Sequence, residues 1–294
     1  MRSSEIRNTN VDYGLTNPLL ECAELPESIS IGQRVDLQVQ VEERIALAKK
    51  VGFLTNGAVY FRDLNNGPWF GVNEDFKFYP ASLLKVPLAV SFYFRAEEEP
   101  GILTAQVEYN GGDENVEASQ AFGSSARLLK GKIYNATELI TFMLQESSNE
   151  AALLLVQIMG ADRILTVYQD FGISSPTLGE DYQIDVHTYA SFFRILFNAT
   201  YIDRVASEQL LGIMTKSAFK EGIVAGVPAD VRVAHKFGTR EVNSLGVNQL
   251  HDCGIVYAPN NPYVLCVMTQ GKDFTKLADF IREVSSLVYS EIEK

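Results

Sequence analysis

A serine and a lysine three residues apart are the first candidates for chemistry in this 294-residue sequence. Ser82 and Lys85 open an apolar run that continues to Phe92, a pattern that predicts a helix beginning near the serine. Residues three apart share a helix face, so the lysine nitrogen can reach the hydroxyl. Burial favours neutral lysine, which can accept the serine proton, and a helix N-terminus offers N–H groups to an oxyanion. The spacing predicts a serine nucleophile, although Ser217 and Lys220 repeat it by chance.

A second polar group, Ser147-Ser148-Asn149, lies between two predicted helices. The Ser147 hydroxyl could relay a proton to a leaving group, and the Asn149 amide could hold a substrate carbonyl and the lysine. A structural interpretation is equally open, because Ser147 followed by Glu150 is also a capping box for the next helix.

A third group, Lys236-Phe237-Gly238-Thr239, ends a segment whose apolar and polar residues alternate as in a β-strand. The lysine is expected on the strand face opposite Phe237, and the glycine lets a substrate approach the backbone closely. The K-x-G pattern occurs twice elsewhere. Only Lys236 lies on a predicted strand and is followed by a hydroxyl residue and by Arg240, which could bind a substrate carboxylate.

The three patterns occur in the order S-x-x-K, S-x-N and K-x-G, each on the expected element. Their joint occurrence by chance is far rarer than any single match. In this respect the chain resembles the serine β-lactamase and penicillin-binding protein superfamily, and it is most similar to the class A β-lactamase-like serine hydrolases. The resemblance covers roughly residues 36 to 294.

The resemblance implies a role for each matching position. Ser82 would be the acylated nucleophile, Lys85 its base and Ser147 the proton shuttle. Asn149 would bind the substrate amide, and Lys236 would supply positive potential.

The remaining implied roles concern the substrate's carbonyl and carboxylate. The backbone N–H groups of Ser82 and Thr239 would form the oxyanion hole. Gly238 would let the substrate lie against the strand, and the Thr239 hydroxyl and Arg240 would hold its carboxylate.

The sequence departs from the class A pattern in three places. Ser148 stands where Asp is usual, and Phe237 replaces a small hydroxyl residue. Class A enzymes also carry an E-x-x-L-N element whose glutamate activates the deacylating water, and segment 171–181 contains no such element. Glu180 or Asp181 could substitute, but Gly and charged neighbours favour a plain acidic turn. Acylation should survive this loss better than deacylation.

The resemblance implies an acyl-enzyme hydrolase that acts on a β-lactam or a D-Ala-D-Ala-type amide, such as a peptidoglycan-type peptide, with no metal or cofactor. Two alternatives stay open: a D,D-carboxypeptidase-like penicillin-binding enzyme, and a sensor domain that stays acylated. A catalytically silent relative is the least informative option. An extracytoplasmic location, whether periplasmic, secreted or membrane-anchored, is implied, and a monomer is the default expectation.

Other common catalytic patterns are missing from the sequence. It has no G-x-S-x-G elbow, no H-E-x-x-H, no P-loop and no G-x-G-x-x-G. His187 and His251 lie near aspartates, but neither pair is tied to a recognisable nucleophile. We therefore expect both histidines to be core or surface residues.

Composition and charge exclude several classes. With 37 acidic and 25 basic residues the net charge is −12, which argues against capture of nucleic acid or of an anionic bilayer. Hydrophobic residues make up 46% and charged residues 21%, as in a folded domain. Cys22, Cys253 and Cys266 are widely spaced and are expected as buried free thiols; the last two could meet across a hairpin.

No apolar stretch reaches the ~20 residues of a membrane span, so no transmembrane segment is predicted. The first residues lack an apolar h-region, and any export signal or anchor is expected outside this sequence.

The elements expected to position these residues fall into two lobes. Strands from both ends of the chain should share one antiparallel sheet flanked by N- and C-terminal helices, with an all-helical lobe inserted between them. This is an α+β, β-lactamase/transpeptidase-like fold, with the site in the cleft. The predicted division is an N-terminal arm at 1–35, a sheet lobe at 36–80 and 218–294, and a helical lobe at 81–217 that carries the S-x-x-K and S-x-N motifs.

Overall fold

The structure is a computed structural model that describes residues 14–17, 31–65, 67–112, 121–122, 126–173 and 182–294. Its helices are α1 (Ile31–Val51), α2 (Lys85–Ala96), α3 (Ala136–Gln145), α4 (Asn149–Met159), α5 (Ala161–Asp170), α6 (Val186–Phe197), α7 (Arg204–Met214) and α8 (Phe274–Ile292). Its strands are β1 (Leu54–Asp63), β2 (Trp69–Val72), β3 (Gln106–Glu108), β4 (Ile133–Asn135), β5 (Val233–Val242), β6 (Val247–Val256) and β7 (Tyr263–Gly271). Short 3₁₀ turns span Ala81–Leu84, Pro100–Thr104, Ile223–Gly226 and Asn243–Leu245.

A five-stranded antiparallel sheet in the order β2-β1-β7-β6-β5 forms the centre of the fold. Three of its pairings, β1–β2, β5–β6 and β6–β7, join consecutive strands, and turn residues at 65–68 and 259–262 of the sequence predict the first and the last of these hairpins. The pairing of β1 with β7 joins a strand from the first quarter of the chain to one near its end, with Tyr60 opposite Cys266. Together with the helices before and after the sheet, this arrangement confirms the predicted α+β fold class.

Helices α1 and α8 cover one face of this sheet. The sequence of α1 was ambiguous, since alternate residues from Val35 to Val41 also fit a strand. The helix forms because Leu37, Val41 and Ile45 recur on one side and are buried in a core shared with α8, whereas Val35 and Val39 are exposed. The helix begins at Ile31, so the predicted arm ends several residues earlier than expected.

The opposite sheet face packs on the residues between β2 and β5, which form a second large apolar core. Helix α3 begins with a capping box, as the sequence spacing of Asn135 and Glu138 predicts: Glu138 N–H donates to Asn135 Oδ1, and Asn135 N–H donates to Glu138 Oε2, both at 2.9 Å. This insert also contains a short antiparallel sheet, β3–β4, that the sequence analysis did not predict. The lobe boundaries at 80–81 and 217–218 stay predictions.

Two expectations about the rest of the chain can be compared with the structure. Cys253 and Cys266 lie directly opposite each other on β6 and β7 and form a disulfide bond, so the expectation of free thiols is wrong for this pair. Cys22 lies outside the described residues. In the arm, Leu15 is buried, and Glu208 accepts hydrogen bonds from the main-chain N–H groups of Leu15 and Thr16, both at 2.9 Å.

Within the described ranges, no lone helix combines the length and apolarity needed to cross a bilayer. Asn149–Met159 and Ala161–Asp170 meet that standard only as a joined pair, bent by 100°.

Candidate active site

The turn that carries Ser82 is tighter than the sequence predicts. Residues Ala81–Leu84 form a 3₁₀ turn, and the α-helix begins only at Lys85. Ala81 has a φ of +49°, a left-handed conformation that is costly for a non-glycine residue. Ser82 is half-buried, whereas Lys85 is buried one turn further on.

The two serines of the S-x-N motif have different tasks. The Ser148 hydroxyl caps α4 by accepting a hydrogen bond from Ala151 N–H at 3.1 Å. The capping interpretation of Ser147 is therefore wrong. Ser147 has a φ of +56°, and its buried hydroxyl accepts hydrogen bonds from Lys236 Nζ at 2.8 Å and from Lys85 Nζ at 3.4 Å.

Lys85 connects the first motif to the second. Its Nζ donates to Asn149 Oδ1 at 2.6 Å and also to the carbonyl oxygen of Ser147. The amide oxygen of Asn149 thus faces the lysine. These bonds hold the start of α2 against the start of α4.

Lys236 is fully buried, which is costly for a charged group. Burial lowers its pKa well below the ordinary value, and the nearby charge of Lys85 lowers it further, while Asp252 opposes the shift. Its Nζ also donates to the carbonyl of Phe237 at 2.8 Å and lies 4.4 Å from the centre of the Phe237 ring. The phenyl ring stacks on Phe219, and the aromatic substitution in the motif places a π-face beside the ammonium.

Gly238 brings strand β5 against the serine turn. A Cβ at this position would lie 3.0 Å from the carbonyl oxygen of Pro80 and 3.2 Å from Ser82 N, so a side chain would push two main-chain segments apart. Strand β5 is one of the two edge strands of the sheet, and every second N–H of an edge strand points away from its neighbour. The geometry is suitable for an oxyanion site between β5 and the N–H of Ser82.

The last two predicted residues lie on the same edge. Thr239 and Arg240 are half-buried, and the Arg240 guanidinium lies 4.3 Å from the centre of the Tyr79 ring. Stacking on an aromatic ring fixes the orientation of a guanidinium group. Glu180 and Asp181 lie outside the described residues.

A family model described as "Beta-lactamase enzyme family" matches residues 40–292 of this sequence. The chain belongs to the β-lactamase enzyme family. This confirms the resemblance to the serine β-lactamase and penicillin-binding protein superfamily. No curated protein matched the sequence.

Several solved structures share the fold of the chain. A structure of PBP-A is 23% identical, with a TM-score of 0.74, over 92% of this chain and 99% of that one. A β-lactamase from Chitinophaga pinensis is 18% identical with a TM-score of 0.73, over 87% of this chain and 98% of its own. A class A β-lactamase from Bacteroides cellulosilyticus is 18% identical with a TM-score of 0.71 over the same shares.

Two side chains beside this candidate site were not assigned a role by sequence reasoning. Gln249 and His251 on β6 are buried and bind the main chain of Tyr79, just before the serine turn. Polar residues two apart on a strand share a face, and this spacing was the available signal. His187 is exposed and stacks on Trp69, as a surface histidine.

The assembled cluster has the parts of an acyl-transfer site. Three separate segments supply these parts. They are a half-buried hydroxyl, two buried lysines that donate to the same serine hydroxyl, and a close main-chain contact. Among the described residues, no group of three or more His, Cys, Asp or Glu side chains is arranged to hold a metal.

Proposed function

We propose that this protein is a serine hydrolase that forms an acyl-enzyme on Ser82 with a β-lactam or a D-Ala-D-Ala-type amide. The observation that carries the proposal is the hydrogen-bonded cluster of Lys85, Ser147 and Lys236 beside the serine turn. Two buried lysines that donate to one hydroxyl repel each other, which favours loss of a proton from the pair. A neutral amine next to the nucleophile is what serine activation needs.

In the acylation step, Lys85 in its neutral form takes the proton of the Ser82 hydroxyl. The serine oxygen then bonds to the substrate carbonyl carbon, and the amide C–N bond breaks. The departing nitrogen takes the hydroxyl proton of Ser147, and a lysine ammonium restores that proton. In deacylation, the oxygen of water bonds to the acyl carbon, the ester bond to Ser82 breaks, and the proton that the water loses returns to the serine oxygen.

The proposed binding of the substrate uses β5 and Asn149. The oxyanion would lie between the N–H groups of Ser82 and Thr239, a site that the closeness of Gly238 supports. The substrate carboxylate would bind Thr239 and Arg240. Because the net charge of −12 opposes an anionic substrate, this local cationic group must supply the attraction.

Slow deacylation is the second part of the proposal. No E-x-x-L-N element occurs between Phe171 and Asp181, and so no glutamate of that kind is available to activate water. The structural relatives include a point mutant of PBP-A in an acyl-enzyme complex with penicillin G, at 23% identity and a TM-score of 0.73. A D,D-carboxypeptidase-like activity is the favoured alternative, and a sensor that stays acylated is the third. The family relationship supports an extracytoplasmic location.

Intact-mass measurement over time with a penicillin tests these proposals, with Ser82→Ala as the control. The expected result is a single adduct on the wild type that persists for many minutes and is missing from the control. No adduct would reject acylation altogether, and rapid loss with product release would reject slow deacylation. Release of D-alanine from a D-Ala-D-Ala peptide then separates a peptidase from a sensor.

If Glu180→Gln abolished turnover while acylation continued, that residue would be the missing base. We expect Glu180→Gln to match the wild type in both steps, because segment 171–181 fits an acidic turn.

A further inference from the structure

The segment that leads into Ser82 is held by two side chains that belong to none of the three motifs. Tyr79 lies three residues before the serine, and its main-chain N–H donates to Gln249 Oε1 at 3.0 Å. The carbonyl oxygen of Tyr79 lies 3.0 Å from His251 Nε2. Both main-chain polar groups of this one residue are therefore bound by strand β6.

The direction of the histidine bond follows from its other nitrogen. Thr269 N–H donates a hydrogen bond to His251 Nδ1 at 3.3 Å, so Nδ1 is an acceptor. The ring proton is therefore on Nε2, which donates a hydrogen bond to the carbonyl oxygen of Tyr79. His251 is fully buried, and burial lowers its pKa to about 4, which keeps the ring neutral near pH 7. The tautomer is fixed from both sides.

The register of the sheet places both residues on the strand next to β5, opposite residues of the candidate site. His251 is opposite Gly238 and Gln249 is opposite Arg240 in the β5–β6 pairing. The same strand pair therefore holds both ends of the turn: side chains bind Tyr79, and the bare backbone at Gly238 lies against Ser82 N.

The conformation between these two anchor points explains why they are needed. Ala81 has a φ of +49°, and an alanine in the left-handed region relaxes unless the surrounding structure holds it. If Tyr79 is released, the strain at Ala81 can relax by moving Ser82. A nucleophile displaced by about 1 Å loses on the order of 10²-fold in rate.

We propose that Gln249 and His251 are positioning residues that fix the Ser82 nucleophile through the main chain of Tyr79. The inference rests on the proposed acylation of Ser82. A positioning role differs from a structural one in its kinetic signature. Loss of either side chain should lower the acylation rate constant and leave the affinity for the non-covalent substrate unchanged.

The test measures these two constants separately by stopped flow with a fluorescent penicillin. His251→Leu and Gln249→Met remove the bonds to Tyr79, and we expect each to lower the acylation rate constant roughly 10- to 100-fold with affinity within about twofold. His251→Gln and Gln249→Glu keep a donor and an acceptor at these places and should recover most of the rate. If His251→Leu does not fold, the comparison of Gln249→Met with Gln249→Glu tests the proposal.

Ser285→Ala is the matched control. The Ser285 hydroxyl is equally buried and donates to the carbonyl of Ile223 at 2.8 Å, in the core that α8 forms on the other face of the sheet. It should lower stability and leave acylation at the wild-type rate. An equal loss of rate in this control, or wild-type acylation in Gln249→Met, would overturn the proposal.

Hydrogen exchange keeps the inference testable apart from catalysis. The amide of Tyr79 should exchange faster in Gln249→Met than in the wild type, and Ser285→Ala should not change it. Unchanged exchange in Gln249→Met would show that Gln249 does not hold the main chain of Tyr79. A wild type that forms no adduct would instead reject the acylation proposal, with the exchange result still deciding whether Tyr79 is held.

Discussion

The buried ring of His251 predicts a specific loss of stability in mild acid. Its pKa falls from the ordinary 6.5 to about 4 because burial disfavours the charged form. The unfolded chain therefore binds a proton between these pH values that the folded protein does not, and folding becomes less favourable as the pH falls. The difference between these two pKa values corresponds to about 3 kcal/mol of folding stability, of which about 2 kcal/mol is lost between pH 7 and pH 5.

The perturbation that isolates this contribution is His251→Gln, which keeps a donor for the carbonyl of Tyr79 and does not titrate in this range. Urea unfolding of both proteins at pH 7, 6 and 5 gives the free energy of unfolding. We expect the wild type to lose about 2 kcal/mol more than the variant between pH 7 and pH 5. Contributions of carboxylates and of the other histidines cancel in this comparison.

Ser285→Ala is the control, since it removes a buried hydrogen bond and no titratable group. Its unfolding free energy should lie below that of the wild type by the same amount at every pH. Parallel curves for His251→Gln and the wild type would refute the reasoning, because the imidazole would then titrate alike in the folded and unfolded states.

Three further predictions concern the serine cluster. Lys236→Met should lower the acylation rate constant roughly 10²- to 10⁴-fold with no loss of thermal stability, since a buried charge is replaced by an apolar chain of similar length; a lowered melting temperature would contradict this. Ser148→Ala should cost about 1 kcal/mol in urea unfolding through its lost helix cap and leave acylation intact, whereas Ser147→Ala should do the reverse. Gly238→Ala should slow acylation on the order of 10²-fold, while Gly101→Ala, where a Cβ meets nothing within 4 Å, should not; equal rates would argue against the close contact.

The sequence predicts the fold where side chains alternate regularly, and its errors arise where polar side chains are bonded inside the protein. The apolar pattern predicts a strand only from Gly254, near the end of β6, because Gln249, His251 and Asp252 interrupt it earlier. These residues are satisfied from other segments: Asp252 binds His235 at 2.7 Å, and the other two bind Tyr79. A pattern of neighbouring residues in the sequence cannot identify hydrogen-bond partners on distant segments.

The sequence predicts the candidate site by residue type and order, and it leaves two interpretations of Ser147 open, a proton shuttle and a helix cap. Ser147 and Ser148 are chemically identical, and only the left-handed backbone at Ser147 decides which hydroxyl turns to the lysines. The 3₁₀ turn before α2 has the same origin, since contact with Gly238 shapes it rather than helix propensity. Tertiary contacts therefore set the details on which reactivity depends.

The pairing of β1 with β7 has a consequence for how the chain is made. Leu54 lies opposite Gly271, so the centre of the sheet joins segments separated by more than two-thirds of the sequence. During synthesis β1 has only the short β2 beside it until nearly the whole chain has emerged. Loop closure over such a span is entropically costly, and topologies of this kind fold slowly. The nascent chain therefore exposes an apolar strand for most of its synthesis, and a chain truncated before Tyr263 would leave β1 without its partner β7.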